Sequence, residues 1–423
     1  MEASPSPQLP AAGKPIRLVI GDDLERGRLT VFFRLIIIIP FLIWLGLWAV
    51  LALFAAVASW VVTLVRGESP GLLHNFLARF VRCSTHIYAY LYLAAQPLPA
   101  FDGEPGYAID VEIDPPRRQN RWTVAFRLIL AVPAFALLSV LAGSGNPASA
   151  RSTGQFASLL IVAAFLGWFY SMVKRRMPRG LRDLSAYALS YAAQFWAYLL
   201  LLTDRYPSSD PLTAIGPLPT RSDPVRVEVR DELRRSRLTV FFRLPLAFPH
   251  LVWVTLWGVL ALLAGVVNWI ATLVAGTSPQ WLHRFLSAYV RYQLQVSAFL
   301  YLVGNPFPGF VGAEGSYPID PHIAARQRQN RWTTLFRLFL AVPALILSAA
   351  FSSLLAVVAI LGWFAALATG RMPVGLRNAG AFALRYAAQT GAYVLLVSPV
   401  YPYSGPCLER APAPDSAAVA PGA

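Results

Sequence analysis

Long apolar runs separated by short polar segments dominate the chain. The run from Leu35 to Val65 contains no charged residue and exceeds the roughly 20 residues that a helix needs to cross a bilayer. A helix of that length in a soluble protein would show a polar face. The pattern therefore predicts a helical protein embedded in a membrane.

The apolar runs recur because the sequence repeats itself. The segment from Arg28 to Arg34, Arg-Leu-Thr-Val-Phe-Phe-Arg, returns unchanged from Arg237 to Arg243. A related segment, Asn-Arg-Trp-Thr-x-x-Phe-Arg, begins at Asn120 and again at Asn330. A proline follows six residues after the last arginine of each motif, at Pro40, Pro133, Pro249 and Pro343. Such self-similarity predicts tandem copies of one unit.

We place the four copies at residues 15–103, 107–211, 224–312 and 317–406. The Pro- and Ala-rich tails, residues 1–14 and 411–423, are predicted to be disordered. Each copy opens with a short alternating segment that predicts a strand. A residue that favours helix N-termini then precedes the motif: Gly27, Asn120, Ser236 and Asn330. The long apolar segment and a second helix follow, the second helix starting near Pro70, Pro178, Pro279 and Pro373.

The fold class predicted is an all-α integral membrane protein with four tandem helical repeats. We expect about eight transmembrane spans plus amphipathic helices, with short β segments between the repeats.

Each long apolar segment can be arranged in two ways. The stretch from motif arginine to second proline is 36 residues in copies one, three and four, but 51 in copy two. The extra residues, around Gly143–Gly154, would break any helix and cannot lie in lipid. Small residues mark the same midpoint elsewhere, at Gly46, Gly258 and Ser348–Ser353. These signals favour a helical hairpin of two spans.

The alternative is one long helix, kinked at the motif proline, with the second helix as the returning span. In the hairpin arrangement 35 of the 36 Lys and Arg residues lie on one side of the membrane, which fits the positive-inside rule. In the alternative, 13 of the 36 lie on the far side. We therefore expect the hairpin, and both termini on the same, cytoplasmic side.

A narrow polar stripe runs along each second helix. Polar side chains recur there at spacings of four, three and four residues, which is one face of an α-helix. The candidate residues are His86, Gln194, Gln295 and Gln389, with Arg82, Arg291 and Arg385. Such a helix can lie in the interface plane or stand in a bundle with the stripe inward. We expect these residues to join helices, and the alternative is a polar path or headgroup site.

Charge is scarce but strongly basic, at 13% charged residues and a net charge of +15. The arginines are spread among apolar segments without a continuous patch, so we expect no nucleic-acid partner. Attraction to anionic lipid headgroups is expected instead. The motif arginines are predicted to be membrane-interface anchors: Arg28, Arg34, Arg121, Arg127, Arg237, Arg243, Arg331 and Arg337.

Catalytic and cofactor signatures are not evident in the sequence. It contains no Gly-rich phosphate loop, metal-ligand cluster or nucleophile elbow. Nineteen of the 21 acidic residues lie in the tails and linkers, which argues against an ion-coupled carboxylate within the membrane. We expect no cofactor, no metal and no enzymatic activity.

The motif combination resembles a bacterial membrane domain of unknown function, DUF4389. The residues that carry the resemblance are Arg-x-Thr-x-x-Phe-Arg-Leu with its proline, the later Pro-x-x-Leu, and the Ala-Tyr and Tyr-Pro pairs. The second copy departs from it at Ser190, where the others have arginine. The resemblance implies a membrane location and no assigned activity.

Two function classes remain open. Repetition without a catalytic constellation favours a non-enzymatic membrane scaffold or assembly factor in the plasma membrane, with membrane proteins as possible partners. Parallel repeats also occur in transporters, so a transporter or lipid-handling protein is the alternative.

Overall fold

The computed structural model describes residues 16–143, 158–215 and 218–409, and the predicted disordered tails lie outside these ranges. Copy one contains β1 (Ile16–Ile20), α1 (Arg28–Ile37), α2 (Ile39–Arg66) and α3 (Gly71–Leu91). Copy two contains β2 (Ile109–Ile113), α4 (Arg121–Ala125), α5 (Arg127–Leu141), α6 (Leu159–Lys174), α7 (Arg179–Leu199) and α8 (Pro211–Ala214).

The second half repeats this order after a two-residue strand, β3 (Thr220–Arg221). Copy three contains β4 (Val225–Val229), α9 (Arg237–Phe241), α10 (Arg243–Ala275) and α11 (Gln280–Leu300). Copy four contains β5 (Ile319–Ile323), α12 (Arg331–Leu335), α13 (Arg337–Thr369) and α14 (Val374–Val394), and β6 (Leu408–Glu409) follows it. We call α3, α7, α11 and α14 the second helices.

All four predicted residues stand at helix N-termini, but only the two asparagines cap the helix with their side chains. The side chains of Asn120 and Asn330 accept hydrogen bonds from the backbone N–H groups of Trp122 and Trp332, at 3.0 and 2.9 Å. These bonds satisfy N–H groups that have no partner within the helix. Three long helices end at a glycine with positive φ, Gly67, Gly276 and Gly370, where an L side chain would be strained.

The predicted hairpin is wrong in copies one, three and four. Helices α2, α10 and α13 run unbroken through Gly46, Gly258 and Ser348–Ser353, so each long segment is a single helix. A lone small residue does not stop a helix whose backbone groups are paired internally. Pro249 and Pro343 lie inside α10 and α13, while copy one breaks at Ile38, just before Pro40.

Copy two divides the same helix into two pieces. Helices α5 and α6 have 15 and 16 residues and take the places of the two halves of the 33-residue α13. Gly167 of α6 lies against Met177 as Gly362 of α13 lies against Met372. Both pieces pack along α7 and α13. The insert between them lies outside the described residues.

Within the described ranges, three helical segments are long and apolar enough to cross a membrane: Arg28–Arg66, Arg243–Ala275 and Arg337–Thr369. Two shorter apolar helices, Arg127–Leu141 and Leu159–Lys174, accompany them. The 21-residue second helices are not in this set. The molecule is thus mostly helical, and its long apolar helices suggest a multi-pass membrane protein.

The predicted strands pair the copies two by two. Strands β1 and β2 form one antiparallel ladder, and β4 and β5 form the other. Within each pair, an indole of one copy's long helix donates to a backbone carbonyl of the other copy's motif helix. These bonds are Trp60 to Val124, Trp168 to Val31, Trp269 to Thr334 and Trp363 to Val240, at 2.8–3.3 Å. The reciprocity is that of a two-fold interface.

The two pairs meet through copies two and four, again reciprocally. Gly180 packs against Ser404, and the equivalent Gly375 packs against Ser209. Tyr187 and Phe382 occupy equivalent positions and meet edge to face, with ring centroids 6.1 Å apart. Copies one and three therefore lie on the outside of the molecule.

The elements form layers. Each second helix packs on a long helix and also contacts a strand, so it lies between the two. Helices α7 and α14 are almost entirely buried, whereas the most apolar windows of α1–α2 and α10 are only 28% and 17% buried. The outer surface of the long helices is therefore apolar and uncovered.

Candidate functional site

The second arginine of each motif is enclosed by the protein. Arg34, Arg127, Arg243 and Arg337 are 1–3% exposed. Each guanidinium stacks 4.1–4.3 Å from the centroid of an aromatic ring near the end of its copy's second helix, those of Tyr90, Tyr198, Phe299 and Tyr393. Arg127 also donates to the carbonyls of Tyr198 and Thr203, both at 2.6 Å. The sequence predicted that these side chains extend to the membrane surface. Instead they are buried, because each guanidinium stacks on the second helix of its own copy.

The first arginine of each motif is exposed. Arg28, Arg237 and Arg331 donate to carbonyls in the last turn of the partner copy's long helix, those of Val173, Ala368 and Val274, at 2.9–3.0 Å. Arg121, also exposed, lies near Gly67 at the end of α2. A cation is favourable at a helix C-terminus because of the helix dipole. Their role as membrane-interface anchors stays a prediction.

In copies one and three the polar stripe binds an aspartate of the neighbouring strand. His86 Nε2 lies 2.9 Å from Asp110 Oδ1, and Gln295 Nε2 donates to Asp320 Oδ1 at 3.0 Å. Arg82 Nε donates to the Val111 carbonyl at 3.1 Å.

Arg291 lies 3.7 Å from Asp320 and also approaches Glu314 and the Gly312 carbonyl. The stripe therefore joins each second helix to the strand of the following linker.

In copies two and four the stripe holds the chain that leaves the second helix. Gln194 Oε1 accepts from the Ser208 N–H at 3.0 Å, and Gln389 Oε1 accepts from the Tyr403 N–H at 3.1 Å. Gln389 Nε2 also donates to the Val225 carbonyl at 3.0 Å. Arg385 donates to the Gly405 carbonyl at 2.6 Å and contacts Cys407 Sγ.

The two aspartates were not singled out from the sequence, although Tyr-x-Ile-Asp occurs in both linkers. Burial alone would raise the pKa of Asp110, but hydrogen bonds from His86 and from the backbone N–H groups of Gly106 and Val111 lower it below its usual value. For Asp320 burial prevails, so its pKa is raised despite hydrogen bonds from Gly315 and Gln295.

A cavity of about 620 Å³ opens between the β4–β5 ladder and α14. Its charged lining includes four arginines and three carboxylates: Arg226, Arg230, Arg377, Arg385, Glu228, Glu314 and Asp320. Apolar side chains such as Val227 and Phe382 form other parts of the wall.

All three carboxylates have basic partners: Glu228 pairs with Arg230 at 2.6 Å, Glu314 lies 3.4 Å from both Arg291 and His322, and Asp320 lies 3.7 Å from Arg291. Among the described residues, no group of three or more His, Cys, Asp or Glu side chains could hold a metal ion.

These features define a membrane-type helical repeat protein with an internal two-fold arrangement. The chain belongs to the family described as a domain of unknown function, DUF4389. The family pattern matches residues 28–101, 154–209, 237–311 and 331–404, about two thirds of the chain. In copy two the match begins at residue 154, after the first piece of the divided helix. No curated protein and no solved structure matches this chain.

Proposed function

We propose that the protein is a non-enzymatic membrane scaffold or assembly factor. The observation that carries this proposal is that the side chains at the repeated polar position bind other parts of the same chain. His86, Gln194, Gln295 and Gln389 each bind a linker or strand that follows or neighbours their own helix. Side chains bonded in this way support a rigid frame more readily than they line a conduit.

The outward surface also supports a scaffold. The long helices of the outer copies, α2 and α10, turn large apolar side chains away from the protein, among them Leu47, Leu53, Leu256 and Leu263. Such a surface fits lipid tails and the apolar helices of other membrane proteins. The proposal includes a plasma-membrane location with both termini on one side.

The test is a Gln295→Leu, Gln389→Leu double variant, with Gln327→Leu as control. Gln327 is exposed on a linker, so its replacement should be silent. We expect the double variant to lose a few °C of thermal stability and to keep its co-purifying proteins wherever it stays folded. A variant that stays folded but loses a bound lipid would contradict the scaffold.

A second candidate, lipid handling, is favoured by one difference between copies two and four. In copy two, Arg182 pairs with the Asp183 carboxylate at 2.6 Å. In copy four the equivalent Arg377 donates to neutral oxygens, the Asp231 carbonyl at 3.0 Å and the Asn378 amide at 2.8 Å. Arg377 lines the cavity, where its guanidinium, which forms no ion pair with a described carboxylate, would attract a phosphate-bearing headgroup.

Lipid co-purification from nanodiscs tests this candidate. Arg230→Gly removes one cavity arginine, and copy one already has a glycine, Gly21, at the equivalent position. Arg230 is largely exposed, so its replacement should be tolerated. Combined with Arg377→Gln, it should reduce retained phosphatidylglycerol at least several-fold if the cavity binds phosphate. Arg328→Gly, on an exposed linker, is the control. Equal retention in all variants would remove the candidate.

A further inference from the structure

The linker after each odd-numbered copy runs back along its second helix. In copy one, Asp110 Oδ1 lies 2.9 Å from His86 Nε2, near the end of α3. The Asp114 carbonyl lies 3.0 Å from His74 Nε2, near its start, and Gln119 N–H donates to Gly67 just before α3 at 2.8 Å. The linker thus follows α3 over most of its 21 residues, a length of about 31 Å.

Copy three has the same arrangement. Trp253 Nε1 donates to the Phe310 carbonyl at 2.9 Å, and Gly312 lies against the Ala288 carbonyl of α11. Farther along the linker, Asp320 accepts a hydrogen bond from Gln295, near the end of α11, at 3.0 Å. The linker then returns past the start of α11, where Gln329 N–H donates to the Gly276 carbonyl at 2.9 Å.

These linkers cannot lie in hydrocarbon. Most of their length is irregular backbone, and Asp102, Glu104 and Glu112 are exposed on the linker of copy one. Lipid-exposed irregular backbone does not occur within the bilayer core, and carboxylates there are strongly unfavourable. If α3 crossed the membrane, its linker would have to cross beside it. Helix α3 therefore lies along the membrane surface.

The long helix of copy one lies alongside its second helix, so the two share one orientation relative to the membrane. Phe41 and Leu45 of α2 pack with Ile87 and Tyr90 near the end of α3. Ser59, 18 residues after Phe41, bonds to Ser69, next to the start of α3, at 2.8 Å. Helices α2 and α3 are therefore antiparallel neighbours along their shared length. The 33 residues of α10 and α13 also measure about 50 Å, well beyond a hydrocarbon core of roughly 30 Å.

We propose that the protein is seated in one leaflet, with its long helices parallel to the membrane plane instead of crossing it, as their length and composition alone would allow. The long helices lie among the lipid tails, the second helices lie at the interface, and the strands and linkers face water. The partner is thus one lipid monolayer, which covers the apolar outer surface of α2 and α10. This inference rests on the membrane location in the proposed function.

Spin-label depth measurements along α10 test the proposal. Leu256, Leu263 and Ile270 are spaced by seven residues on one face and are 57%, 60% and 54% exposed. Each is replaced singly by cysteine in the full chain, spin-labelled and reconstituted in phosphatidylcholine and phosphatidylglycerol vesicles. Because they face outward, these changes leave the packing intact. Oxygen and nickel-chelate accessibility then reports the depth of each label.

We expect the three labels at one shared depth. The first and last sites are about 21 Å apart along the helix. Depths graded over most of that distance would overturn the proposal and show spanning helices, while leaving the membrane location intact. Labels without any lipid contact would instead overturn the membrane location itself. The native Cys83 and Cys407 are buried, and the unaltered chain measures their background labelling.

A second readout uses the two ends of α10. Cysteines at Glu232 and Gln280, exposed before and after the long segment, are treated with an impermeant maleimide in sealed vesicles. Labelling of both from the same side, together with Glu112→Cys on the linker, is expected. Labelling of Glu232→Cys and Gln280→Cys from opposite sides would contradict the proposal.

Discussion

At the residue scale, two equivalent aspartates differ in the direction of their pKa shifts. Asp110 and Asp320 occupy matching strand positions, yet the pKa is lowered for Asp110 and raised for Asp320. The two carboxylates therefore contribute to folding stability with opposite dependence on pH. Asp110 stabilises the fold above its unfolded pKa, and this contribution is lost as the pH falls through its folded value. Asp320 stabilises it at low pH, and this contribution is lost as the pH rises through its folded value.

Asparagine substitutions separate the two effects. At pH 7, Asp110→Asn should lower the free energy of unfolding by about 1–3 kcal/mol, because charge-assisted hydrogen bonds are lost. Asp320→Asn should lower it less, because burial already disfavours the ionised form. Denaturant unfolding in mild detergent at pH 7 and at about pH 2, below the usual carboxyl range, checks this. A loss for Asp110→Asn that does not shrink at the lower pH would contradict the assignment.

The buried motif arginines show what the sequence could not provide. Spacing identified Arg34, Arg127, Arg243 and Arg337 and the Ala-Tyr or Ala-Phe pairs separately. That each guanidinium stacks on the aromatic ring of that pair depends on the return of the second helix, which is a long-range contact. The expectation of surface anchors therefore rested on charge alone.

At the element scale, local patterns predicted the strands, the helix N-termini and the second helices. The predicted hairpin was wrong because the Gly- and Pro-rich insert of copy two was assumed to mark a turn in the long helix of every copy. In the others, Gly46 and Gly258 are single residues in an otherwise strong helix, and nothing else forces a turn. Which strands pair was also beyond the sequence, because β1 and β2 come from different copies.

Linker contacts give a direct test at this scale. Gly312 has φ of 59°, and a Cβ there would lie 2.6 Å from the Ala288 carbonyl oxygen of α11. Gly312→Ala should therefore destabilise the protein by more than about 1 kcal/mol through backbone strain and the lost close approach. Gly309→Ala, where a Cβ meets open space, is the control. Equal thermal midpoints for the two variants would show that the linker does not lie on α11.

The crossed indole bonds should hold each pair of copies together. Trp269→Phe removes the donor to the Thr334 carbonyl, a bond of 2.8 Å, and keeps an aromatic ring at the position. A loss of about 0.5–1.5 kcal/mol in unfolding free energy is expected for one such bond. Trp281→Phe changes an indole that is 66% exposed and should be nearly neutral. Chemical unfolding monitored by circular dichroism compares the two, and a larger loss for Trp281→Phe would sink this assignment.

At the scale of the whole molecule, two levels of two-fold pairing produce the order one, two, four, three. The central copies supply the contact between pairs, through Gly180 with Ser404 and Gly375 with Ser209. The outer copies leave their long helices uncovered. The sequence predicted four tandem copies of one unit, but the reciprocal contacts came only with the structure. This frame, with its polar groups bonded internally, is the basis for the proposed scaffold.

Native mass spectrometry of the unaltered chain, extracted from its own membrane in mild detergent, tests the scaffold most directly. The account predicts the chain together with at least one other protein, in a complex that survives removal of lipid. A chain that carries a stoichiometric lipid or small anion, and no other protein, would contradict it.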